Sequence, residues 1–201
     1  MPDQIDFITY VHTDADLFER AKQDLLKATE LSHSEPGCRR FELYRTQKAP
    51  EYFILKQSWD NRADLDKHLQ APHIQKLKAD LRQIEAIMET QPLILLQAGN
   101  RKEKHMRHTI DFVTYIRTEQ ELFEKTKAYV LKAAEHAYKE PGCLRFEVYR
   151  TQNQPYYFVI KESWDNQADL DRHRSSDYVK HLKKQLHEVE AFMDTQPLVR
   201  L

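Results

Sequence analysis

The spacing of apolar and polar positions near the start of the chain predicts a strand followed by a helix. Residues 5–11 are rich in β-branched and aromatic side chains, which is typical of a strand. Thr118 and Glu121 have the residue types and spacing of a helix capping box. Thr13 and Asp16 have the same spacing in the first copy, with aspartate in place of glutamate. The helix that begins at Thr13 carries an apolar stripe with helical spacing. The members of this stripe are Leu17, Ala21, Leu25 and Ala28.

The next segment predicts a hairpin, then two helices and a last strand. Residues 40–46 and 52–59 have the composition of strands, and the chain turns before them at Pro36-Gly37. Asn61 is a suitable N-cap for a short helix, and a longer helix follows it. The apolar face of the longer helix consists of Ile74, Leu77, Leu81, Ile84 and Met88. Pro92 introduces a last strand, so the order β-α-β-β-α-β predicts a ferredoxin-like α+β fold.

The chain contains this pattern twice, and the two copies align without a gap. Residues 35–38 and 140–143 both read Glu-Pro-Gly-Cys, and residues 58–61 and 163–166 both read Ser-Trp-Asp-Asn. About half of the paired positions are identical, and each copy is long enough to be a domain. We therefore predict two tandem domains of one kind.

The predicted domains are residues 1–97 and 109–201, and a polar linker over residues 98–108 joins them. Their strands carry aromatic and aliphatic side chains on both faces, although the helices cover only one face. The second apolar face needs a cover, and the other copy can provide it. Two sheets packed face to face would give a pseudo-dimeric α/β barrel with a sheltered interior. Further self-association of the fused chain stays open.

Composition and charge give no support for several classes of partner. The chain has 31 lysine and arginine residues and 32 aspartate and glutamate residues, and its net charge is -1 at pH 7. This balance gives no reason to expect binding to nucleic acid or to an anionic membrane. No apolar run has the length of a membrane span, and the first residues lack the charged and apolar pattern of a secretion signal, so we expect neither feature. Because the two cysteines do not suggest a disulfide framework, we expect a cytoplasmic protein.

Motifs in both copies resemble those of the antibiotic biosynthesis monooxygenase family, and within it the small quinol-monooxygenase-like proteins. In the first copy, Glu-Pro-Gly-Cys at residues 35–38 precedes Arg-Phe-Glu-Leu-Tyr at residues 40–44. Ser-Trp-Asp at residues 58–60 is then followed by His68, and the second copy has equivalent residues in the same order. The resemblance covers nearly all of both copies and implies ferredoxin-like domains that pair into a barrel.

The resemblance implies oxygenation of an aromatic quinol-like or polyphenol-like molecule without a bound cofactor. The substrate would lose a proton, and its electron-rich anion would reduce dioxygen, so neither a flavin nor a metal is required. His68 and His173 occupy the same position in the two copies, and the resemblance places them near the ligand cavity. They are the candidate catalytic bases, because imidazole titrates near neutral pH. Alternatively, both histidines brace the short helix.

Candidate substrate-binding residues lie on the strands and at the start of the short helix. Trp59 and Trp164 could stack on an aromatic substrate, or could simply pack in the core. The amides of Asn61 and Asn166 could donate to the substrate, or could cap the helix. The remaining candidates are Tyr10, Tyr115, Arg40 and Arg145. The two arginines could instead form salt bridges with nearby glutamates.

Other polar residues near these candidates have simpler interpretations. His73 would add a second histidine to the first copy, but Tyr178 occupies that position in the second, so we interpret His73 as a surface residue. The spacing of His68 and His73 is poor for one helical face, which argues against a metal pair. Cys38 and Cys143 are expected to pack as small apolar side chains.

Two other functions stay open at this point. The resemblance is also compatible with a non-catalytic small-molecule-binding or stress-response module, and with an isomerase of a small carbonyl compound. Oxygen uptake would distinguish an oxygenase from both. The expected partners of the oxygenase are a small aromatic substrate and dioxygen.

Overall fold

The computed structural model describes residues 4–47, 49, 51–100 and 109–200. The first copy contains β1 (Ile5–His12), α1 (Phe18–His33), β2 (Cys38–Thr46), β3 (Tyr52–Trp59), α2 (Arg62–Gln70), α3 (Pro72–Gln83) and β4 (Ile87–Asn100). The second copy contains β5 (Ile110–Arg117), α4 (Phe123–Ala137), β6 (Cys143–Thr151), β7 (Tyr157–Trp164), α5 (Gln167–Ser175), α6 (Asp177–Glu188) and β8 (Phe192–Arg200). None of the described helices is long and apolar enough to span a membrane.

β1 and β3 are the inner strands of the first copy, β5 and β7 are those of the second, and the pairings are antiparallel. β3 pairs with β1 and β2, and β1 also pairs with β4. In the second copy β7 pairs with β5 and β6, and β5 also pairs with β8. The strand order β1-β3-β2-β8-β5-β7-β6-β4 closes a barrel. The predicted α+β class with two ferredoxin-like halves in a barrel is therefore confirmed.

Each copy buries an apolar core between its helices and one face of its strands. In the first copy β3 contributes Phe53, Leu55 and Trp59 to this core, and each is at most 2% exposed. Leu25 of α1 and Leu77 of α3 pack in the same cluster. This helix-side core therefore accounts for the apolar stripes that the sequence places on both helices.

The opposite strand face is also buried, but it carries polar side chains. β3 places Lys56 and Ser58 there, and the strand register sets Ile8 and Glu42 beside Lys56. Lys56 is 0% exposed and Glu42 is 6% exposed. Both faces of the strands are therefore buried, but the second face is not the apolar surface that the sequence predicted, because Lys56 and Glu42 lie among its apolar side chains.

A β-bulge interrupts the alternation of β2 at its start. The register of β2 against β3 shifts between Cys38 and Arg40. Strict alternation would place these two side chains on the same face, whereas the extra residue sets Cys38 against the helix-side core. The same shift occurs between Cys143 and Arg145, and Cys143 belongs to the second core. The prediction that both cysteines pack as small apolar side chains is confirmed.

The predicted capping boxes do not form. A 3₁₀ turn at Ala15–Leu17 precedes α1, and neither the turn nor the helix has a side-chain cap. In the second copy the hydroxyl oxygen of Thr118 lies 3.0 Å from that of Thr126. Both threonines are buried, so the Thr118 hydroxyl forms its hydrogen bond inside the fold and does not cap the helix. The capping prediction was wrong because it considered local spacing only.

The third helix ends earlier than its apolar pattern predicts. Ile84 and Met88 were assigned to its face, but α3 ends at Gln83 and Met88 lies on β4. Glu85 adopts a positive φ of 53°, and Glu190 does the same in the second copy at 52°. A residue in the left-handed conformation terminates a helix. The helix therefore ends before Met88, although the apolar spacing in the sequence continues to that residue.

β4 extends into the segment that was predicted to be a linker. The strand continues to Asn100, whereas residues 101–108 of that segment lie outside the described residues. Two compact units divide between Leu93 and Ile94, within β4. Backbone groups can pair in a strand whatever the polarity of the side chains. The polar side chains of this segment therefore gave no sign that β4 extends into it.

Gly37 and Gly142 occupy turns that a larger residue would strain. Their φ angles are +78° and +81°, and a Cβ on Gly37 would overlap the side chain of Asp64 near the start of α2. We expect Gly37→Ala to lower the free energy of unfolding by about 1–3 kcal/mol, measured by urea denaturation. Ser34→Ala, an exposed neighbour, is the control, and an equal loss in both variants would contradict the prediction.

Candidate functional site

α2 carries His68 into the core of the first copy, where its ring contacts a tryptophan and a carboxylate. Asn61 begins the helix by accepting a hydrogen bond of 3.0 Å from the backbone N–H of Asp64. His68 lies in the last turn and is 2% exposed. The ring centroids of His68 and Trp59 are 4.3 Å apart, and Nδ1 of His68 lies 3.0 Å from Oε2 of Glu35. We assign the proton to Nδ1, because an ionised carboxylate can only accept.

His73 joins this pair from the next helix. The backbone is extended at Ala71, between α2 and α3, so His68 and His73 lie on different helices. Nε2 of His73 lies 2.8 Å from Oε1 of Glu35 and 3.2 Å from Oγ of Ser32. The interpretation of His73 as only a surface residue was incomplete, since its side chain is 18% exposed but also contacts Glu35. The spacing argument against a metal pair does not apply, because it assumed a single helix.

Burial controls the protonation of these side chains. It lowers the pKa of His68 to about 4, with smaller contributions from His73 and Lys78, so this imidazole is neutral near pH 7. Burial raises the pKa of Glu35, and the charge of His73 partly opposes that effect. Burial, followed by the charge of Glu35, raises the pKa of Cys38 to about 11, so its thiol stays protonated.

In the second copy, a carboxylate lies near each ring nitrogen of His173. Nδ1 lies 2.9 Å from Oε2 of Glu140 and 2.7 Å from the hydroxyl oxygen of Tyr178. Nε2 lies 3.8 Å from Oε2 of Glu162, which accepts a hydrogen bond of 2.9 Å from the indole N–H of Trp164. Burial raises the pKa of Tyr178, so its phenol stays protonated. Glu140, His173 and Glu162 thus form a chain of ionisable groups that leads into the core.

Among the differences between the two copies, two change the groups that lie beside the ring of the buried histidine. Glu162 replaces Gln57, and Tyr178 replaces His73. In the described part of the first copy, the indole N–H of Trp59 has no hydrogen-bond partner. The first copy therefore presents one carboxylate and two imidazoles, whereas the second presents two carboxylates, one imidazole and a phenol.

Aromatic rings surround His173. Its ring centroid lies 4.3 Å from that of Trp164 and 5.9 Å from that of Phe146, which packs edge-on against Tyr138. The hydroxyl of Tyr138 is buried and has no hydrogen-bond partner among the described residues. An exposed histidine, His33, occupies this position in the first copy. Because an unsatisfied buried hydroxyl is costly, Tyr138 marks a place where a polar ligand atom could bind.

A second cluster lies on the strand face opposite the helices. We call it the polar strand face, and in the first copy it contains Asp6, Glu42, Tyr44, Lys56 and Ser58. Nζ of Lys56 lies 4.5 Å from the centroid of the Tyr44 ring, and the Tyr44 hydroxyl donates to Glu42 at 3.1 Å. The Ser58 hydroxyl donates to Asp6 at 2.5 Å. A buried ammonium and buried carboxylates compensate one another's charge on this face.

The second copy repeats these contacts. Nζ of Lys161 lies 4.5 Å from the centroid of the Tyr149 ring, and the Tyr149 hydroxyl donates to Glu147 at 3.0 Å. The Ser163 hydroxyl donates to Asp111 at 2.6 Å. The sequence reasoning missed both lysines. A signal was available, because in each copy a lysine follows four consecutive apolar or aromatic residues of a strand, at the same position.

The sheet separates the predicted site residues into two groups. The helix side holds His68, His173, Trp59, Trp164, Asn61 and Asn166. The polar strand face holds Tyr10, Tyr115, Arg40 and Arg145. Because the strand backbone lies between the groups, the predicted residues do not form one site.

The predicted binding residues on the helix side have structural contacts. Trp59 and Trp164 are both 0% exposed and pack in the cores. Asn61 and Asn166 cap α2 and α5, and each amide N–H also donates to an aspartate at 2.8 Å. A substrate contact at any of these four residues stays a prediction.

Fold and site together define a ferredoxin-like α+β barrel protein with, in each copy, a buried histidine paired with a partly buried carboxylate. The family model described as antibiotic biosynthesis monooxygenase matches residues 8–80 and 110–185, with one segment in each copy. The chain therefore belongs to the antibiotic biosynthesis monooxygenase family, and the predicted tandem arrangement is confirmed. No curated protein matches the chain.

Several solved structures share this fold over nearly the whole chain. A proposed monooxygenase from Fusobacterium nucleatum has a TM-score of 0.83 at 16% identity, covering 99% of this chain and 93% of that one. A proposed monooxygenase from Lactobacillus acidophilus has a TM-score of 0.76 at 16% identity, with coverages of 98% and 94%. An anthrone oxidase-like protein has a TM-score of 0.71 at 10% identity, with coverages of 98% and 92%. At such identities the likeness establishes the fold alone.

Proposed function

We propose that the chain is an oxygenase of an aromatic quinol-like or polyphenol-like compound, such as a hydroquinone or a hydroxylated anthrone, and that it needs no bound cofactor. The observation that carries this proposal is the buried chain Glu140–His173–Glu162, with aromatic rings around the imidazole. Membership of the monooxygenase family supports the reaction class. The shared fold of the anthrone oxidase-like protein supports the choice of an aromatic substrate as the first one to test.

His173 is the proton acceptor in this proposal. Glu140 holds the proton on Nδ1, which leaves the lone pair of Nε2 for a proton of the substrate. Glu162 lies 3.8 Å from Nε2, which is too long for a hydrogen bond but close enough to stabilise the imidazolium that forms.

The substrate supplies the electrons of the reaction. Loss of a proton from an anthrone gives an electron-rich anion that can reduce dioxygen. One oxygen atom then becomes the new ketone oxygen of the ring, and the other leaves as water with the hydrogens of the oxidised carbon. The buried hydroxyl of Tyr138 would donate a hydrogen bond to the existing oxygen of the substrate, and Phe146 would contact its ring.

A matching role for His68 stays a prediction from the sequence. Gln57 replaces the second carboxylate in the first copy. The low pKa of His68, about 4 because of burial, also makes its imidazole a weak base near pH 7.

We expect the purified chain to accelerate oxygen uptake by an anthrone by about 100-fold or more over buffer, without added flavin or nicotinamide. An oxygen electrode measures the rate after treatment with a chelator, and mass spectrometry with isotopically labelled dioxygen identifies the quinone product. Heat-denatured protein is the control. Anthrone binding without oxygen uptake would favour a non-catalytic module, and conversion without oxygen uptake would favour an isomerase. Either result overturns the oxygenase proposal.

A further inference from the structure

We propose that Glu35, His68 and His73 bind a single divalent first-row transition metal ion in the first copy. The three residues come from the turn after α1, from α2 and from α3. Each offers one ligand atom, and these atoms all lie within 4.8 Å of one another. Two imidazoles and one carboxylate are a donor set that suits zinc and its neighbours in the first transition row.

The interatomic distances are compatible with the coordination sphere of such an ion. The carboxylate of Glu35 lies 3.0 Å from Nδ1 of His68 and 2.8 Å from Nε2 of His73. Ligand atoms around a tetrahedral zinc are about 3.3 Å apart, so small side-chain rotations would accommodate the ion. Oε1 of Glu35 is buried, and an ion bound between this oxygen and Nε2 of His73 would replace the direct contact of 2.8 Å between the two atoms.

An ion can reach these residues from solvent beside His73. A groove of about 70 Å³ lies between α1 and α3, and His73 lines it together with Leu31 and Lys76. The side chain of His73 is 18% exposed, whereas that of His68 is 3% exposed. The ion would thus enter from the His73 side without opening the core around His68.

The second copy provides an internal comparison. Tyr178 stands in place of His73, and its hydroxyl oxygen lies 2.7 Å from Nδ1 of His173. A phenol that keeps its proton is a poor metal ligand, and Glu162 lies beside the other ring nitrogen of His173. Glu140 and Nδ1 of His173 therefore lack a third donor on their side of the ring. The metal site is therefore confined to the first copy, and it is separate from the proposed oxygenase site at His173.

The bound ion would join the turn after α1 to α2 and α3. Because the ion binds the folded chain and not the unfolded one, it would raise the melting temperature. This role requires no redox chemistry, so metal binding can be measured independently of any oxygen uptake.

The test is a titration of Zn²⁺ into the metal-stripped, untagged chain by isothermal calorimetry. The unaltered chain should bind a single ion, and His73→Tyr, which copies the second repeat, should weaken binding by about 100-fold or more. Tyr178→His should create a second binding site, because it completes the set with Glu140 and His173. His33→Ala removes an exposed histidine of α1 and should bind Zn²⁺ like the unaltered chain.

No Zn²⁺ binding by the unaltered chain, or equal binding by His73→Tyr, would overturn the proposal. Melting curves without metal show whether each variant is folded, and Zn²⁺ should raise the melting temperature of the unaltered chain but not that of His73→Tyr. The gain of a site in Tyr178→His keeps the test decisive even if His73→Tyr fails to fold. Failure of Tyr178→His to bind a second ion would count against the donor set.

Discussion

His173→Gln is expected to lower kcat/KM for oxygen uptake with an anthrone by about 10²–10⁴-fold, which is the usual contribution of a general base. Glutamine keeps a polar side chain beside Glu140, but its amide cannot accept a proton near neutral pH. The loss should appear mainly in kcat, because proton removal occurs after the substrate binds. Oxygen-electrode kinetics over a range of anthrone concentrations measure both constants.

Three further variants locate the chemistry in one copy. His181→Gln changes an exposed histidine of α6 and should keep the full rate. Glu162→Gln gives the second copy the residue of the first and should cause a smaller loss than His173→Gln, since it removes only the stabilisation of the imidazolium. If His68→Gln lost activity while His173→Gln kept it, the reaction would belong to the first copy and the assignment to the second would be wrong.

Trp59→Ala and Trp164→Ala are each expected to lower the free energy of unfolding by about 3–5 kcal/mol. Both indoles are 0% exposed, and each packs against the imidazole of its copy. Removal of so large a side chain leaves a cavity that rigid strands cannot close. Because domains are stable by only about 5–15 kcal/mol, either variant should show a much lower urea midpoint by circular dichroism.

Phenylalanine substitutions provide the matched control for this prediction. Trp164→Phe removes the N–H that donates to Glu162, whereas the N–H of Trp59 has no hydrogen-bond partner among the described residues. Trp164→Phe should therefore cost about 1–3 kcal/mol more than Trp59→Phe. Equal losses in the two variants would mean that the hydrogen bond to Glu162 does not contribute to stability.

The order of elements could be predicted because periodicity is a local property. Alternating and helical apolar spacings identified the strands and helices of both copies, and the repeated Glu-Pro-Gly-Cys and Ser-Trp-Asp-Asn motifs identified the family. Helix boundaries were less predictable. The left-handed backbone at Glu85 ends the third helix, although the apolar spacing continues to Met88. The Thr118 hydroxyl contacts that of Thr126 and does not cap the start of the helix.

The candidate sites needed contacts between residues distant in sequence. The sequence identified His68 and His173 as equivalent candidates, but their burial and the break at Ala71 that brings His73 to Glu35 appear only in the fold. Lys56 received no role, because its partners Tyr44 and Glu42 come from another strand.

The sequence by itself determined the tandem repeat, the element order and the family, since these depend on side-chain type and spacing along the chain. Tertiary structure decided which side of the sheet each candidate occupies. It therefore separated Arg40 from His68, although both were assigned to one site. It also distinguished the two copies, because single exchanges at Gln57/Glu162 and His73/Tyr178 change the groups within reach of a buried imidazole. Such distances depend on how strands and helices pack in three dimensions, and the spacing of residues along the chain does not determine them.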